Sequence, residues 1–328
     1  MESFVFSVSA VSPIIIMVVI GYVLKKIGIV KEETAKILNK MVFRVFLPAM
    51  LFLNVYKIED LSGIDFSYIA YAAAITIGVF LVSIPIVMQV TKKQERRGVI
   101  LQAVFRSNYA LIGLPLAESL FGEEGLAIAS LLSAVIIPIY NVLAVVSLSI
   151  FGTGNEKPSV KKIVLNIVKN PLIQSVLLGV VFLMIRKMFV QYGIVFRLSD
   201  IKPIYTVLGN LSGVATPLAL IALGAQFEFS AVSSLKKEII FGTVMRILVV
   251  PAIGLGVAYF CFSSSFNGAH FAAFIAAFAT PVAVSSVPMA QEMNSDATLA
   301  GQIVVWSTII SAFTVFAATW LIKIAGIF

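Results

Sequence analysis

Apolar runs of about 20 residues, the length a helix needs to cross the hydrocarbon core of a bilayer, recur ten times along this chain. They fall at approximately 4–24, 37–56, 66–90, 98–120, 126–151, 171–190, 203–226, 239–262, 270–290 and 299–322. Segments such as IIIMVVIGYVL and IGVFLVSIPIVM are apolar without interruption, whereas a membrane β-barrel alternates apolar and polar residues along each strand. Lipid offers backbone groups no partner, so spans of this kind must be helices that satisfy themselves. The 328 residues are 60% hydrophobic and 12% charged, with a mean hydropathy of +1.04, more apolar surface than a water-soluble domain of that length can bury. The expectation is an all-α integral membrane protein. The N-terminal run FVFSVSAVSPIIIMVVIGYVL lacks a basic leader and is long for a signal peptide, so it is read as a retained first helix.

The net charge of +8 sits largely in short connections. The loops after spans 1, 3, 5 and 7, with their flanks, carry Lys25, Lys26, Lys31, Lys36, Lys40, Lys92, Lys93, Arg96, Arg97, Lys157, Lys161, Lys162, Lys169, Lys236 and Lys237. The opposite face holds Lys57, Arg186, Lys187, Arg197, Lys202 and Lys323. The positive-inside rule places the richer face in the cytoplasm of a plasma (inner) membrane, and an even number of spans then puts both termini outside. Basic loops beside an anionic leaflet account for the charge, so no nucleic-acid partner is expected. Cys261 and His270 are each the only residue of their kind, which excludes an intrachain disulfide, a cysteine metal site and a zinc centre. There is no HExxH, no P-loop and no pair of intramembrane aspartates, and Ser286 has only His270 as a prospective base. No catalytic residues, metal or cofactor are therefore expected.

The two halves repeat each other. Pro13 matches Pro171, Pro48 matches Pro217, and PLAESLFGEEGLA from Pro115 aligns without gaps with PMAQEMNSDATLA from Pro288. Five spans per half bring the second copy in from the opposite side, which makes the repeat inverted. The expected units are residues 1–151, a cytoplasmic amphipathic linker over 152–169, and residues 170–328. In the linker Val160, Ile163, Val164, Ile167 and Val168 recur at helical spacing beside Lys157, Lys161, Lys162 and Lys169.

Span 4 contains NYALIGLPLAESLFG, with Asn108, Tyr109, Gly113, Pro115 and Glu118 at membrane depth. An interior proline removes a backbone hydrogen bond and clashes with the preceding turn, so a break is expected at Pro115, with a half-helix starting there. Span 9 reads ATPVAVSSVPMAQE, with Pro281, Ser285, Ser286 and Pro288, and a second half-helix is expected to start near Pro288. Irregular backbone at that depth is tolerated only inside protein or against a water-filled cavity. Two interruptions at corresponding repeat positions are a sequence pointer to a transporter's binding site. Helix N-termini and the Asn108 amide suit a small organic anion, a carboxylate above all. The alternative is that the prolines bend helices for packing and Asn108 caps a broken end.

NYALIGLPLAESLFGEEGLA, NPLIQSVLLGVV, ATPLALIALGA and PVAVSSVPMAQEMNSDATLAGQIVVWST together resemble the bacterial branch of the auxin efflux carrier family over essentially the whole chain, most specifically in Asn108, Gly113, Pro115 and Leu116. The resemblance implies ten transmembrane helices in two inverted five-helix repeats, a fold related to the bile acid–sodium symporters. It also implies a scaffold from helices 1, 2, 6 and 7, a transport domain from helices 3–5 and 8–10, and broken helices 4 and 9 that cross at the site. In plant members the asparagine of this motif contacts the substrate carboxylate, a role the resemblance carries to Asn108. The long cytosolic loop of the plant carriers is absent; residues 152–169 stand in its place.

The charged residues inside spans are the candidates for charge handling. Arg106 can attract an anion or pair with an acid, Arg246 can sit against protein or snorkel, and Arg44 is expected to snorkel. Glu118 can favour a helix start or carry a coupled proton, while Glu292 is expected to be solvated. The function expected is secondary transport of a small organic anion by alternating access, proton- or sodium-coupled, with a facilitator or channel-like uniporter and a sodium symporter as alternatives. The partners are the anion and membrane lipids, with a homodimer as an admissible assembly.

Overall fold

The computed structural model describes residues 2–58, 66–152 and 160–327. Its helices are α1 (Glu2–Lys26), α2 (Glu32–Met41), α3 (Leu47–Tyr56), α4 (Phe66–Val90), α5 (Gln94–Phe105), α6 (Leu114–Ile150) and α7 (Val160–Lys169). They continue as α8 (Pro171–Gln191), α9 (Lys202–Gln226), α10 (Ala231–Val244), α11 (Val250–Phe262), α12 (Gly268–Phe278), α13 (Ser286–Glu292) and α14 (Ala297–Ile324). Among the described residues the only extended pairing is an antiparallel bridge between Ser107 and Val282. The chain is an all-α integral membrane protein.

Seven stretches among the described residues are long and apolar enough to cross a bilayer: Glu32–Tyr56, Phe66–Val90, Tyr109–Ile150, Pro171–Gln191, Lys202–Gln226, Ala231–Phe262 and Ala297–Ile324. α1 adds a further helix of 25 residues, and α12 is a shorter apolar one. The ten apolar runs are regrouped because two of them are interrupted. Run 4 and run 5 meet inside α6, which is two helical pieces joined end to end where Phe121 (φ −140°) and Gly122 (φ 60°) leave helical geometry.

Three crossings contain a π-helical turn: Val42–Phe46, Tyr109–Gly113 and Met245–Val249. Each ends two residues before a proline: Pro48, Pro115 and Pro251. A proline has no N–H and collides with the carbonyl four residues back in a regular helix. The wider turn moves that carbonyl into bonding with the residue five along, as in the Gly113 N–H to Asn108 O bond of 3.3 Å. The helix passes the proline without breaking.

α1 packs along α9, and α3 packs against both α8 and α9. The α1–α9 approach is backbone to backbone: a Cβ on Gly21 would overlap the Ile221 carbonyl, and one on Gly224 the Val18 carbonyl. Small residues permit such contact where lipid provides no hydrophobic drive between helices. α5 and α12 pack on α6, and α10 on α14. α12 is apolar on every face apart from His270, and ten of its eleven residues, including Phe271, Phe274 and Ile275, are buried. A helix of that pattern belongs inside protein, which is why it can be too short to face lipid. Leu177, Leu178, Val181 and Met184 of α8 are exposed instead, as a lipid-facing surface requires.

Arg96 bonds Glu238 at 2.9 Å and Asp296 at 3.1 Å, tying α5, α10 and the start of α14 together. Asp296 also caps α14 by accepting from the Leu299 N–H at 2.8 Å. Within the segment read as a linker, Val160–Lys169 form the helix α7. Lys157 and the rest of 153–159, and the side chains of Val160 and Lys162, lie outside the described residues.

Candidate functional site

The break expected at Pro115 lies upstream of it, at Arg106–Asn108, between α5 and the π turn. Pro115 sits in the first turn of α6, exposed, because the π turn absorbs it. In the second interrupted span the unwound stretch is 279–285, and the half-helix begins at Ser286 rather than at Pro288, which is buried inside α13. The two unwound stretches run antiparallel and are stitched together: the Asn108 N–H donates to Pro281 O at 2.8 Å, and the Ala283 N–H to Arg106 O at 3.3 Å. The Val282 N–H donates to Ser307 Oγ of α14 at 3.2 Å. Backbone groups that helix bonding would leave orphaned at this depth thus find partners across the junction.

A cavity of about 60 Å³ adjoins the crossing. On one side it is lined by Arg106, Asn108, Tyr109 and Ser285, and on the other by residues of α3 and α9 that include Met50 and Thr216. Asn108 is 5% exposed, and its amide nitrogen is buried without a hydrogen-bond partner. The backbone carbonyl of Asn108 accepts from Ile112 N–H at 3.0 Å, so the residue anchors the π turn while its side chain is left over. Tyr109 contributes its ring to the wall, but its hydroxyl donates to Ala129 O at 2.9 Å.

Arg106 is 3% exposed. Its Nη2 donates to Asn141 Oδ1 at 2.7 Å, and its Nη1 to Gln102 Oε1 at 3.5 Å and to the Met289 sulfur at 3.1 Å. These contacts use three of the five N–H donors of a guanidinium, and all three acceptors are neutral. No ion pair reaches Arg106 among the described residues. Asn141 accepts from Arg106 and also donates to Ile137 O at 3.0 Å. Ser107 donates to Tyr140 Oη at 3.3 Å, and Tyr140 donates on to Ala277 O at 3.1 Å, bracing the crossing from α6.

Arg246, fully buried on the π turn of the span that joins α10 to α11, faces protein and does not snorkel. Its guanidinium donates to Thr280 O at 2.8 Å, Phe105 O at 3.0 Å, and Ala277 O and Phe278 O, both at 2.8 Å. A fifth contact reaches Val104 O at 3.3 Å.

The remaining candidates lie off the cavity wall. Gly113 abuts α12, where an added Cβ would stand 3.1 Å from both the Cβ and the carbonyl of Ala276. Pro281 lends its carbonyl to the stitch. Ser286 points a buried hydroxyl at no partner, while its carbonyl accepts from Gln102 Nε2 at 3.3 Å. Glu118 is exposed and not among the residues around the cavity. Arg44, whose side chain is 61% exposed, pairs with Glu292 at 2.9 Å; the Glu292 side chain is only 12% exposed and meets this arginine where solvation was expected. Beside them Asn39, Gln226 and Gln291 share amide hydrogen bonds of 2.9–3.1 Å, joining α2 and α9 to α13. Sequence reasoning missed Thr216 and Tyr140. Thr216 has a signal in its neighbour Pro217, one of the repeat positions, but Tyr140 has none.

Apolar crossings that enclose a buried, stitched polar junction define an integral membrane transport protein. Residues 6–319 match the family model described as membrane transport protein, and the chain belongs to that family, the auxin efflux carriers. It is similar to an uncharacterized transporter of Methanothermobacter thermautotrophicus, 26% identical over 94% of this chain and 96% of the relative. Another uncharacterized transporter, from Methanocaldococcus jannaschii, is 28% identical over 73% of this chain and 75% of its own length. The uncharacterized transporter YfdV of Escherichia coli is 23% identical over 88% and 89%.

Proposed function

We propose that this protein is a secondary transporter that carries a small organic anion, a carboxylate, across the plasma membrane by alternating access. In this reading the helices make ten crossings in two inverted five-helix repeats with both termini outside. α1–α3, α8 and α9 form a scaffold, and α4–α6 with α10–α14 form the moving part. The observation that carries the reading is the unpartnered, buried amide nitrogen of Asn108 beside the cavity. An unsatisfied buried donor costs roughly 1–3 kcal/mol, a cost that an incoming carboxylate oxygen removes. Arg106 supports the same chemistry, since it lines the cavity with donors to spare and no acid among the described residues pairs with it. At about 60 Å³ the cavity is smaller than the roughly 150 Å³ void that admits a benzene, so in this reading its two walls, one from α3 and α9 and one from the crossing, part to load a multi-carbon acid.

Uptake of radiolabelled mono- and dicarboxylates into proteoliposomes tests this. The expected result is saturable uptake of at least one carboxylate and none of its uncharged amide analogue. Loss of one hydrogen bond to a charged group, about 1.5–3 kcal/mol, corresponds to a tenfold or greater loss of apparent affinity in Asn108→Ala and in Arg106→Gln. Absence of saturable carboxylate uptake, or Asn108→Ala transporting like wild type, refutes it.

A further inference from the structure

The last carbonyls of an α-helix have no N–H partner within the helix and carry its negative dipole end. Two such ends, of α5 and α12, meet behind the crossing, and both point their carbonyls at one side chain. Arg246 bonds Val104 O and Phe105 O at the end of α5, Ala277 O and Phe278 O at the end of α12, and Thr280 O in the unwound stretch. A guanidinium has five N–H donors in a fixed planar fork, and here all five are used. Every acceptor is a backbone carbonyl, and no carboxylate pairs with Arg246 among the described residues.

Carbonyls from half-helix C-termini and from unwound backbone are the donor set with which transporter folds coordinate a sodium ion near the substrate site. In this chain the seat is filled by a cation on a tether. We propose that Arg246 is a built-in counter-cation: it occupies the carbonyl cage formed by the two half-helix ends, holds the crossing together, and makes a bound metal cation unnecessary there. The two buried arginines then divide the work. Arg246 is saturated and fixes the backbone, whereas Arg106, which lines the cavity, keeps donors unused. Arg246 is accordingly a positioning residue, with no contact to the transported anion. The part of the inference that concerns an anion rests on the transport reading above; the occupancy of the cage does not.

The test is thermal unfolding of the purified full-length protein in detergent, with no carboxylate added, at constant ionic strength. Wild type is expected to melt at the same temperature in sodium chloride and in choline chloride. Arg246→Ala is expected to melt several degrees lower and to regain most of that loss in low-millimolar guanidinium chloride, which refills the cage. Arg246→Lys, with three donors for five carbonyls, is expected to fall between and to gain nothing from guanidinium. A sodium-specific rise in the wild-type melting temperature overturns the proposal, as does Arg246→Ala that guanidinium does not stabilise beyond its effect on wild type. Should Arg246→Ala fail to fold, Arg246→Lys and wild type still decide: Arg246→Lys melting at or above the wild-type temperature overturns the proposal as well. Because no arm contains a carboxylate, a failure to find anion transport leaves these outcomes legible on their own.

Discussion

Replacing Asn108 by alanine should leave the ligand-free protein as stable as wild type or more so, although the residue is buried at the centre of the molecule. The Asn108 amide nitrogen is a buried donor with no partner, and relieving such a group returns about 1–3 kcal/mol. Against that stands the space vacated by the amide, about one to two waters' worth or roughly 30–60 Å³. At about 24 cal/mol per Å³ of new void this costs roughly 0.7–1.4 kcal/mol. The balance runs from about −0.4 to +2.3 kcal/mol in favour of the variant. For a chain of 328 residues, at about 1–3 °C per kcal/mol, the melting temperature should stay level or rise by up to about 7 °C. The same substitution should cut stabilisation by a carboxylate, which in wild type reaches about 2.7 kcal/mol at a hundredfold excess over Kd, to about 1.4 kcal/mol or less at the same ligand concentration. Differential scanning fluorimetry in detergent, with and without ligand, reads both arms. A fall of more than about 2 °C in the ligand-free variant would show that the free protein already satisfies the amide, and the reasoning would be wrong.

With Cys261→Ser removing the only native cysteine, Ser107→Cys with Val282→Cys should form a disulfide on mild oxidation. These residues face each other as an antiparallel pair that exchanges no hydrogen bond of its own, at a Cα separation of about 4.5 Å that suits the bond; free thiols by mass spectrometry would contradict the crossing. Gly113→Val should lower stability by about 1–3 kcal/mol through overpacking, since its Cβ would press on Ala276; an unchanged melting temperature would show that α12 can yield. Glu118→Gln should retain wild-type uptake across an imposed pH gradient, because Glu118 is exposed and away from the cavity; loss of pH-driven accumulation would return it to a coupling role.

The membrane-spanning class and the polar neighbourhood of the site were legible because apolar length and intramembrane polarity are local signals. Asn108, Arg106 and Ser285 were all singled out from sequence, and all line the cavity. The exact point of interruption was not legible. Pro115 reads as a helix breaker, yet a π turn accommodates it, and α5 stops where Arg106 and Asn108 lend backbone groups to a strand-like partner more than 170 positions away. The role of Arg246 was hidden for the same reason: the carbonyls it holds belong to α5 and α12, and nothing near MRILVVP announces them. Glu292 was misjudged because it was weighed without Arg44.

The three wide turns ahead of Pro48, Pro115 and Pro251 each amount to a spare residue wound into a span. Removing that residue would not merely tighten a coil. At 3.6 residues per turn it would swing everything downstream by about 100°, turning lipid-facing side chains of α3, α6 or α11 into the interior and core side chains out to the acyl chains. Deletions at these turns should therefore be far less tolerated than most point substitutions nearby, since they reset the azimuth of a whole crossing while leaving its composition almost untouched.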